Sequence, residues 1–289
     1  MQKLAIIQMQ MSSHLNTNIT KAQELVVQAA QTGANIVLLP ELFENHYFCQ
    51  EEKDEFFSLA NTLENHPFIP QFQQLALQHK IVLPISFFEK AGQAYFNSLA
   101  MINADGKLLG VYRKSHIPDG PNYEEKYYFN PGDTGFKVWK TLHGNIGVGI
   151  CWDQWFPECA RIMSLQGADL LLYPTAIGSE PPEAHSLDTK DMWQMSMQGH
   201  AIHSAVYVAA ANRIGQEKNM NFYGSSFISD YCGKKLSEAD NCTENILYAD
   251  LNFKEAQTFR AGMGFFRDRR PNLYHSLTTL DSSNSEGHS

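Results

Sequence analysis

A chain of 289 residues, 43% hydrophobic and 18% charged, is long and apolar enough to bury a sizeable core, which excludes a globally disordered protein. A formal net charge of −9 argues against nucleic-acid and anionic-membrane partners, which both require a basic surface. No apolar run reaches membrane-spanning length, the N-terminus lacks a secretory apolar core, and the five cysteines form no CxxC pair, so a reducing cytoplasm is the expected setting.

Residues 4–9 read as a buried strand. Asn16 or Asn18 is placed to cap a helix running through Ala30, with Leu25, Val26 and Ala29 inward and Gly33 as its stop. Residues 34–39 form an apolar run closed by Pro40, the pattern of a strand covered on both faces. Segments 51–61 and 67–79 read as helices and 80–88 as a strand. Residues 94–103 and 107–113 flank Ala104-Asp105-Gly106, a hairpin signal that makes these strands antiparallel. Residues 114–135 hold three Pro and three Gly and keep no periodicity, and a loop this long is expected to be functional. A second hairpin joins 136–142 to 145–150 around His143-Gly144. A helix over 155–167, a buried strand over 168–173, a loop over 174–183 and a helix over 185–204 follow. Strands over 205–211, 222–229 and 245–251 complete the pattern, with Cys232-Gly233-Lys234 as a turn. Residues 1–277 are expected to form a single domain and the polar stretch 278–289 a disordered tail. Hairpins among alternating strands and helices imply mixed sheets, and apolar strands need cover on both faces, so a layered α/β sandwich is the natural architecture.

Three positions at strand ends can do chemistry. Glu41 lies just past the buried strand closed by Pro40, where ligands gather in α/β sheets, and a carboxylate there suits general acid–base work. Lys114 ends an apolar strand and opens the long loop, placing an ammonium able to steady an oxyanion or favour a thiolate. Cys151 follows the glycine-containing strand Gly147-Val148-Gly149-Ile150 and precedes a helix, a turn that presents the sulfur beside free backbone N–H groups. Taken singly, each has a plainer reading: a helix-start acid, a solvated strand-end charge, a buried structural thiol. Their recurrence at three strand ends, in the order Glu, Lys, Cys, is what carries weight.

Pro40-Glu41, Arg113-Lys114 and Gly149-Ile150-Cys151-Trp152-Asp153 together resemble the catalytic motifs of the nitrilase, or carbon–nitrogen hydrolase, superfamily, with similarity running from about Lys3 to Leu277. The resemblance implies an α/β fold, a four-layer αββα sandwich with two mixed β-sheets, homodimers or larger homo-oligomers, and neither metal nor organic cofactor. The segments Glu44-Asn45-His46-Tyr47-Phe48-Cys49-Gln50, His116-Ile117-Pro118-Asp119-Gly120-Pro121-Asn122-Tyr123, the stretch from Glu125 to Phe136, and Tyr173-Pro174-Thr175-Ala176-Ile177-Gly178-Ser179-Glu180-Pro181 resemble the branch that hydrolyses N-carbamoylputrescine. In that branch a second glutamate supports the trio; it falls on Glu125, with Glu124 as the one-position alternative.

The mechanism so implied has Glu41 take the proton of Cys151, the thiolate attack a carbamoyl carbon, and Lys114 with the Trp152 backbone N–H hold the oxyanion. The two carboxylates push the Cys151 thiol up and Lys114 pulls it down, a balance the sequence leaves open. A small cationic carbamoyl-amine substrate calls for a carboxylate and apolar walls, and Glu180, Asp119 and Glu183 are the acids on offer. Glu180 ranks first because it lies in a family-like segment, whereas Asp119 and Glu183 read more simply as solvated charges. Tyr47, Trp152 and Tyr123 are expected wall residues. The rival readings are an enzyme for carbamoyl-β-alanine or carbamoyl amino acids, which needs a cation in its pocket, an aliphatic amidase, and a non-catalytic scaffold. His200 and His203 share a helix face without a third ligand and read as core or interface residues, as do Met192, Met195 and Met197.

Overall fold

The computed structural model describes residues 1–179 and 188–282. Strand β1 (Gln2–Gln8) leads to helix α1 (Leu15–Gln31), strand β2 (Ile36–Leu38), helix α2 (Ile69–His79) and strands β3 (Leu83–Ala91), β4 (Ala94–Ile102) and β5 (Leu108–Arg113). The one-turn helix α3 (Glu125–Tyr128), β6 (Val138–Thr141), β7 (Gly144–Val148), α4 (Pro157–Leu165), β8 (Leu170–Thr175) and β9 (Gly178–Ser179) come next. After α5 (Thr189–Ser204) run β10 (Tyr207–Asn212), β11 (Ile214–Glu217), β12 (Met220–Tyr223), β13 (Phe227–Ser229), β14 (Lys235–Glu238), β15 (Asn245–Leu251) and α6 (Phe253–Met263).

One sheet has the order β14-β13-β10-β8-β7-β6. The orders β15-β1-β2 and β3-β4-β5 are joined edge to edge, because Val37 N donates to Val82 O (3.0 Å) and Val82 N to Asn35 O (2.8 Å). Read from one edge, both six-strand arrays run antiparallel, parallel, parallel, antiparallel, antiparallel. A small ribbon, β11-β12-β9, stands apart from both.

The two-residue alternation of a strand decides which layer each side chain joins. Leu4 and Ile6 of β1 meet Leu170 and Leu172 of β8 between the sheets. Ala5 and Ile7 turn the other way, onto Ile19, Ala22, Val26 and Ala29 of α1 and Phe72 and Ala76 of α2. Leu171 and Tyr173 likewise turn out onto Met163 of α4 and Trp193, Met197 and Ala201 of α5. Helices, sheet, sheet and helices thus stack as the expected four layers, which leaves the strand ends of both sheets open to one central site.

Several expectations change. Helix α1 begins at Leu15 behind His14, whose side chain caps nothing. Asn18 instead donates to Ser12 O and Glu44 O (both 2.9 Å) and accepts from Ser12 N (2.7 Å), strapping the helix start to the loop that bears Glu41. The helix expected over 51–61 is a 3-10 turn, Asp54–Leu59, preceded by another at Phe48–Gln50, because Phe48, Phe56 and Phe57 are drawn onto the rings of Phe88 and Tyr128 rather than along one helix face. The strand expected over 222–229 is cut in two at Gly224 and Ser225, both with φ +54°. Strands β11 and β14 and helix α6 went unread since none carries an apolar repeat; α6 buries only Ala256.

Candidate active site

Strand β2 delivers Glu41 to the mouth of its sheet, with Pro40 ending the ladder and Leu42 turned into the left-handed region (φ +46°). Lys114 leaves β5 with its backbone N–H donating to Asn97 O of β4 (2.8 Å) and its carbonyl accepting from Gly132 N (2.8 Å). Only glycine fits at 132, where a Cβ would stand 2.1 Å from Arg113 O. Cys151 follows β7 at φ +42°, a strained geometry for a non-glycine residue, and opens a 3-10 turn to Trp155. Asp153 braces that elbow: its carboxylate accepts from Ile150 N (2.9 Å), Tyr112 OH (2.7 Å) and His116 N (3.0 Å). A Cβ at Gly149 would sit 2.8 Å from the Tyr173 ring, so the strand must present no side chain there.

These backbones bring Glu41, Lys114 and Glu125 together in full burial. Lys114 Nζ donates to Glu41 Oε1 (2.9 Å) and to Glu125 Oε1 and Oε2 (2.9 and 2.7 Å). Glu125, not Glu124, makes this contact. Asn97 Nδ2 also donates to Glu41 Oε1 (2.7 Å), so that oxygen is doubly engaged while Glu41 Oε2 has no partner among the described residues. Tyr47 OH donates to Glu125 Oε1 (2.6 Å).

Burial pushes the Cys151 thiol well above its ordinary value, the Glu41 charge adds to this, and the opposing pull of Lys114 is too small to reverse it. Burial works against the Lys114 ammonium, yet the charges of Glu125 and Glu41 hold it well above the ordinary lysine range. Burial likewise raises Glu125, against Lys114 and with the repulsion of Glu41. The free site is therefore a neutral thiol beside a fixed cation and a carboxylate oxygen with nothing to bind. Such a set suits nucleophilic acyl transfer.

Cys151 forms part of the floor of a cavity of about 430 Å³, walled by Pro118, Pro121, Tyr123, Trp152, Trp155, Ile177, Thr189 and Met192. Trp152 and Tyr123 line it, and Tyr123 OH accepts from Gly178 N (3.1 Å), tying two loops together. Asp119 also lines it, half-exposed, with Lys126 Nζ at 3.9 Å. Tyr47 does not: its ring is buried under Phe222, and it acts as a prop for Glu125 rather than a wall. Glu180 and Glu183 lie outside the described residues. His200 is a core residue whose Nε2 faces Gln154 O (2.8 Å), and burial lowers its pKa. Met197 is core, whereas Met192 and Met195 are exposed, Met192 on the cavity rim. Sequence reasoning missed Asn97, whose only signal is an amide in a largely apolar strand. It also missed Arg213, a strand-end cation like Lys114.

A model of the carbon-nitrogen hydrolase family matches residues 3–261. The chain is 51% identical to the N-carbamoylputrescine amidase of Solanum lycopersicum over 97% of its length and 96% of that protein, and 50% identical to the citrullinase of Francisella tularensis over 95% and 97%. A carbon-nitrogen hydrolase structure from Helicobacter pylori superposes with a TM-score of 0.91 at 37% identity, covering 96% of this chain and 99% of that one. Strand-end chemistry, layer order and these similarities agree, and the chain belongs to the carbon–nitrogen hydrolase family as an amidase.

Proposed function

We propose that the chain hydrolyses N-carbamoylputrescine to putrescine, carbon dioxide and ammonia through a thioester on Cys151. Glu41 Oε2, the unpartnered oxygen, takes the thiol proton as the sulfur attacks the carbamoyl carbon. Lys114 and the Trp152 backbone N–H, which lies in the first turn of the 3-10 segment opened by Cys151, receive the oxyanion. Glu41 passes the proton to the leaving ammonia, then draws a proton from the water that opens the thioester. The N-substituted carbamate released decays to amine and carbon dioxide. Tyr47 and Lys114 together hold Glu125 in place.

The observation that carries the substrate reading is the charge of the cavity. Its walls are mostly apolar and its one charged lining residue among those described is the carboxylate of Asp119. A substrate tail that ends in an ammonium matches this; one that carries a carboxylate, with an ammonium as in citrulline or without one as in carbamoyl-β-alanine, meets no guanidinium among the described lining residues. Ammonia release is expected to be at least about tenfold faster in kcat/KM from N-carbamoylputrescine than from either carboxylated ureide, the effect of about one unpaired charge. Comparable rates on citrulline would replace the diamine reading with a broader ureidoalkyl one.

We propose self-association as well. Ile162 and Leu165 of α4, Met195 and Ile202 of α5, and Leu273 and Leu277 are exposed apolar side chains, and Leu277 lines a 510 Å³ cleft together with residues of α4 and α5; exposed apolar surface of this kind marks interaction sites. A dimer is expected by sedimentation, weakened by Ile202→Asp; a monomeric wild type would refute this. Five free cysteines support a reducing, cytoplasmic setting, and no helix among the described residues is long and apolar enough to cross a membrane.

A further inference from the structure

We propose that the buried Arg213–Glu217 ion pair is a positioning device that sets Glu41 and Glu125 relative to each other, an inference that rests on the catalytic reading of those two residues. Arg213 lies between β10 and β11 and Glu217 closes β11, and both are fully buried. Arg213 Nη1 donates to Glu217 Oε1 and Oε2 (3.0 and 3.1 Å) and to Asn45 O (3.2 Å), while Nη2 donates to Glu41 O (2.7 Å) and Leu42 O (3.1 Å). Three carbonyls of the 41–45 turn thus converge on one cation. Glu217 Oε2 accepts from Tyr47 N (2.6 Å), and the phenol of that same Tyr47 holds Glu125. The guanidinium lies over the rings of Tyr47 (5.6 Å) and Phe222 (5.3 Å), which fixes its plane.

Stability does not by itself call for this pair, because apolar residues of similar volume fill such a site as well or better. Apolar groups cannot direct three carbonyls and one amide, and here the carbonyls belong to a turn that contains the left-handed Leu42. Released from Arg213, that turn is free to relax, and Glu41 moves with it. Released from Glu217, Tyr47 shifts and Glu125 follows. One end of the pair therefore governs the base and the other the support of Lys114. Among the described residues the hydrogen bonds of Arg213 and Glu217 run to the 41–47 segment and to each other, away from the side chains that wall the cavity, so loss of the pair is expected to act on the chemical step more than on substrate binding.

The test compares Arg213→Ala, Arg213→Lys, Glu217→Gln and Glu217→Ala with wild type. Steady-state kinetics is run with N-carbamoylputrescine, and Cys151 alkylation by iodoacetamide is followed by peptide mass, a readout that needs no substrate. A displacement of about 1 Å predicts a fall in kcat of about 10²-fold, with KM within about twofold and Cys151 alkylation altered alongside. Glu217→Gln, which keeps an acceptor for Tyr47 N, is expected to retain more activity than Glu217→Ala. Millimolar methylguanidinium is expected to restore at least part of kcat in Arg213→Ala, where the same concentration of sodium chloride does not. Folded variants with wild-type kcat and alkylation would overturn the proposal, as would losses that track only the unfolded fraction and resist rescue. If Arg213→Ala does not fold, Arg213→Lys and Glu217→Gln decide between the same outcomes. If wild type itself spares carbamoyl substrates, the substrate reading fails, and the alkylation series still judges the pair.

Discussion

Replacing Cys151 with Ala is expected to lower turnover by about four to six orders of magnitude and leave the fold in place. Cys151 is only 5% exposed, so the change deletes one sulfur from a site whose backbone is already set by Asp153 and Gly149. Alanine must adopt the same left-handed φ, at a cost close to that of cysteine. Ammonia release under single-turnover and steady-state conditions measures the loss. Turnover near the wild-type rate would remove the thioester from the mechanism. The same pair of proteins reports the state of the thiol. Because burial and Glu41 hold it well above 9.0, a thiolate absorbance difference near 240 nm between wild type and Cys151→Ala is expected only on the alkaline side of pH 9. The linkage has a definite sign: a thiol raised on folding contributes stability that is complete below its unfolded value and lost as pH climbs through the folded one. The wild type should thus lose ground to Cys151→Ala in alkaline melts.

Lys114→Met is expected to cost both activity and about 3–5 kcal/mol of stability. The cation it removes satisfies Glu41 and Glu125 at once, and without it two buried carboxylates face each other across about the width of an ammonium. Activity is expected to fall by at least about 10²–10³, the value of one oxyanion donor. The variant also changes how stability depends on pH. Glu125 is already raised by burial, so its proton favours the folded state fully below 4.5, an advantage lost as pH rises through the folded value. Removing Lys114 takes away the largest influence that lowers Glu125, leaving only the hydrogen bond from Tyr47, and carries this window to higher pH. Urea melts at pH 5 and pH 8 should show the variant gaining more than wild type on acidification; equal gains would mean that the two carboxylates do not share the cation as described.

Much of this site was legible because its parts sit where strands stop. Glu41, Lys114 and Cys151 each follow an apolar run, and apolar runs are the strongest local signal in the chain. Glu125 had no such marker, opening a single helical turn inside an aperiodic loop, and only family resemblance singled it out. Tyr47 was read as a wall because an aromatic near a pocket usually lines it; its phenol is turned inward by a carboxylate brought from 78 residues away. Arg213 and Asn97 meet Glu41 from 172 and 56 residues away, through contacts that no local pattern encodes. A layered α/β sandwich followed from hairpins among buried strands and its four layers only from family resemblance, whereas the split of residues 222–229 turned on two consecutive left-handed residues, one of them a serine.

The first strand of the chain is closed by the last. Strand β1 pairs along its whole length with β15, Gln2 opposite Leu251, so the sheet that carries Glu41 and Lys114 lacks one flank until residue 251 has been made. At about 5–20 residues per second, translation leaves that edge unpaired for roughly ten to fifty seconds. During that interval Leu4 and Ile6 present apolar faces and a row of free amides to anything nearby. Glu41, Lys114 and Cys151 are thus synthesised well before the strand that closes the sheet bearing the first two, and the candidate site is expected to assemble only once residues 245–251 have been made.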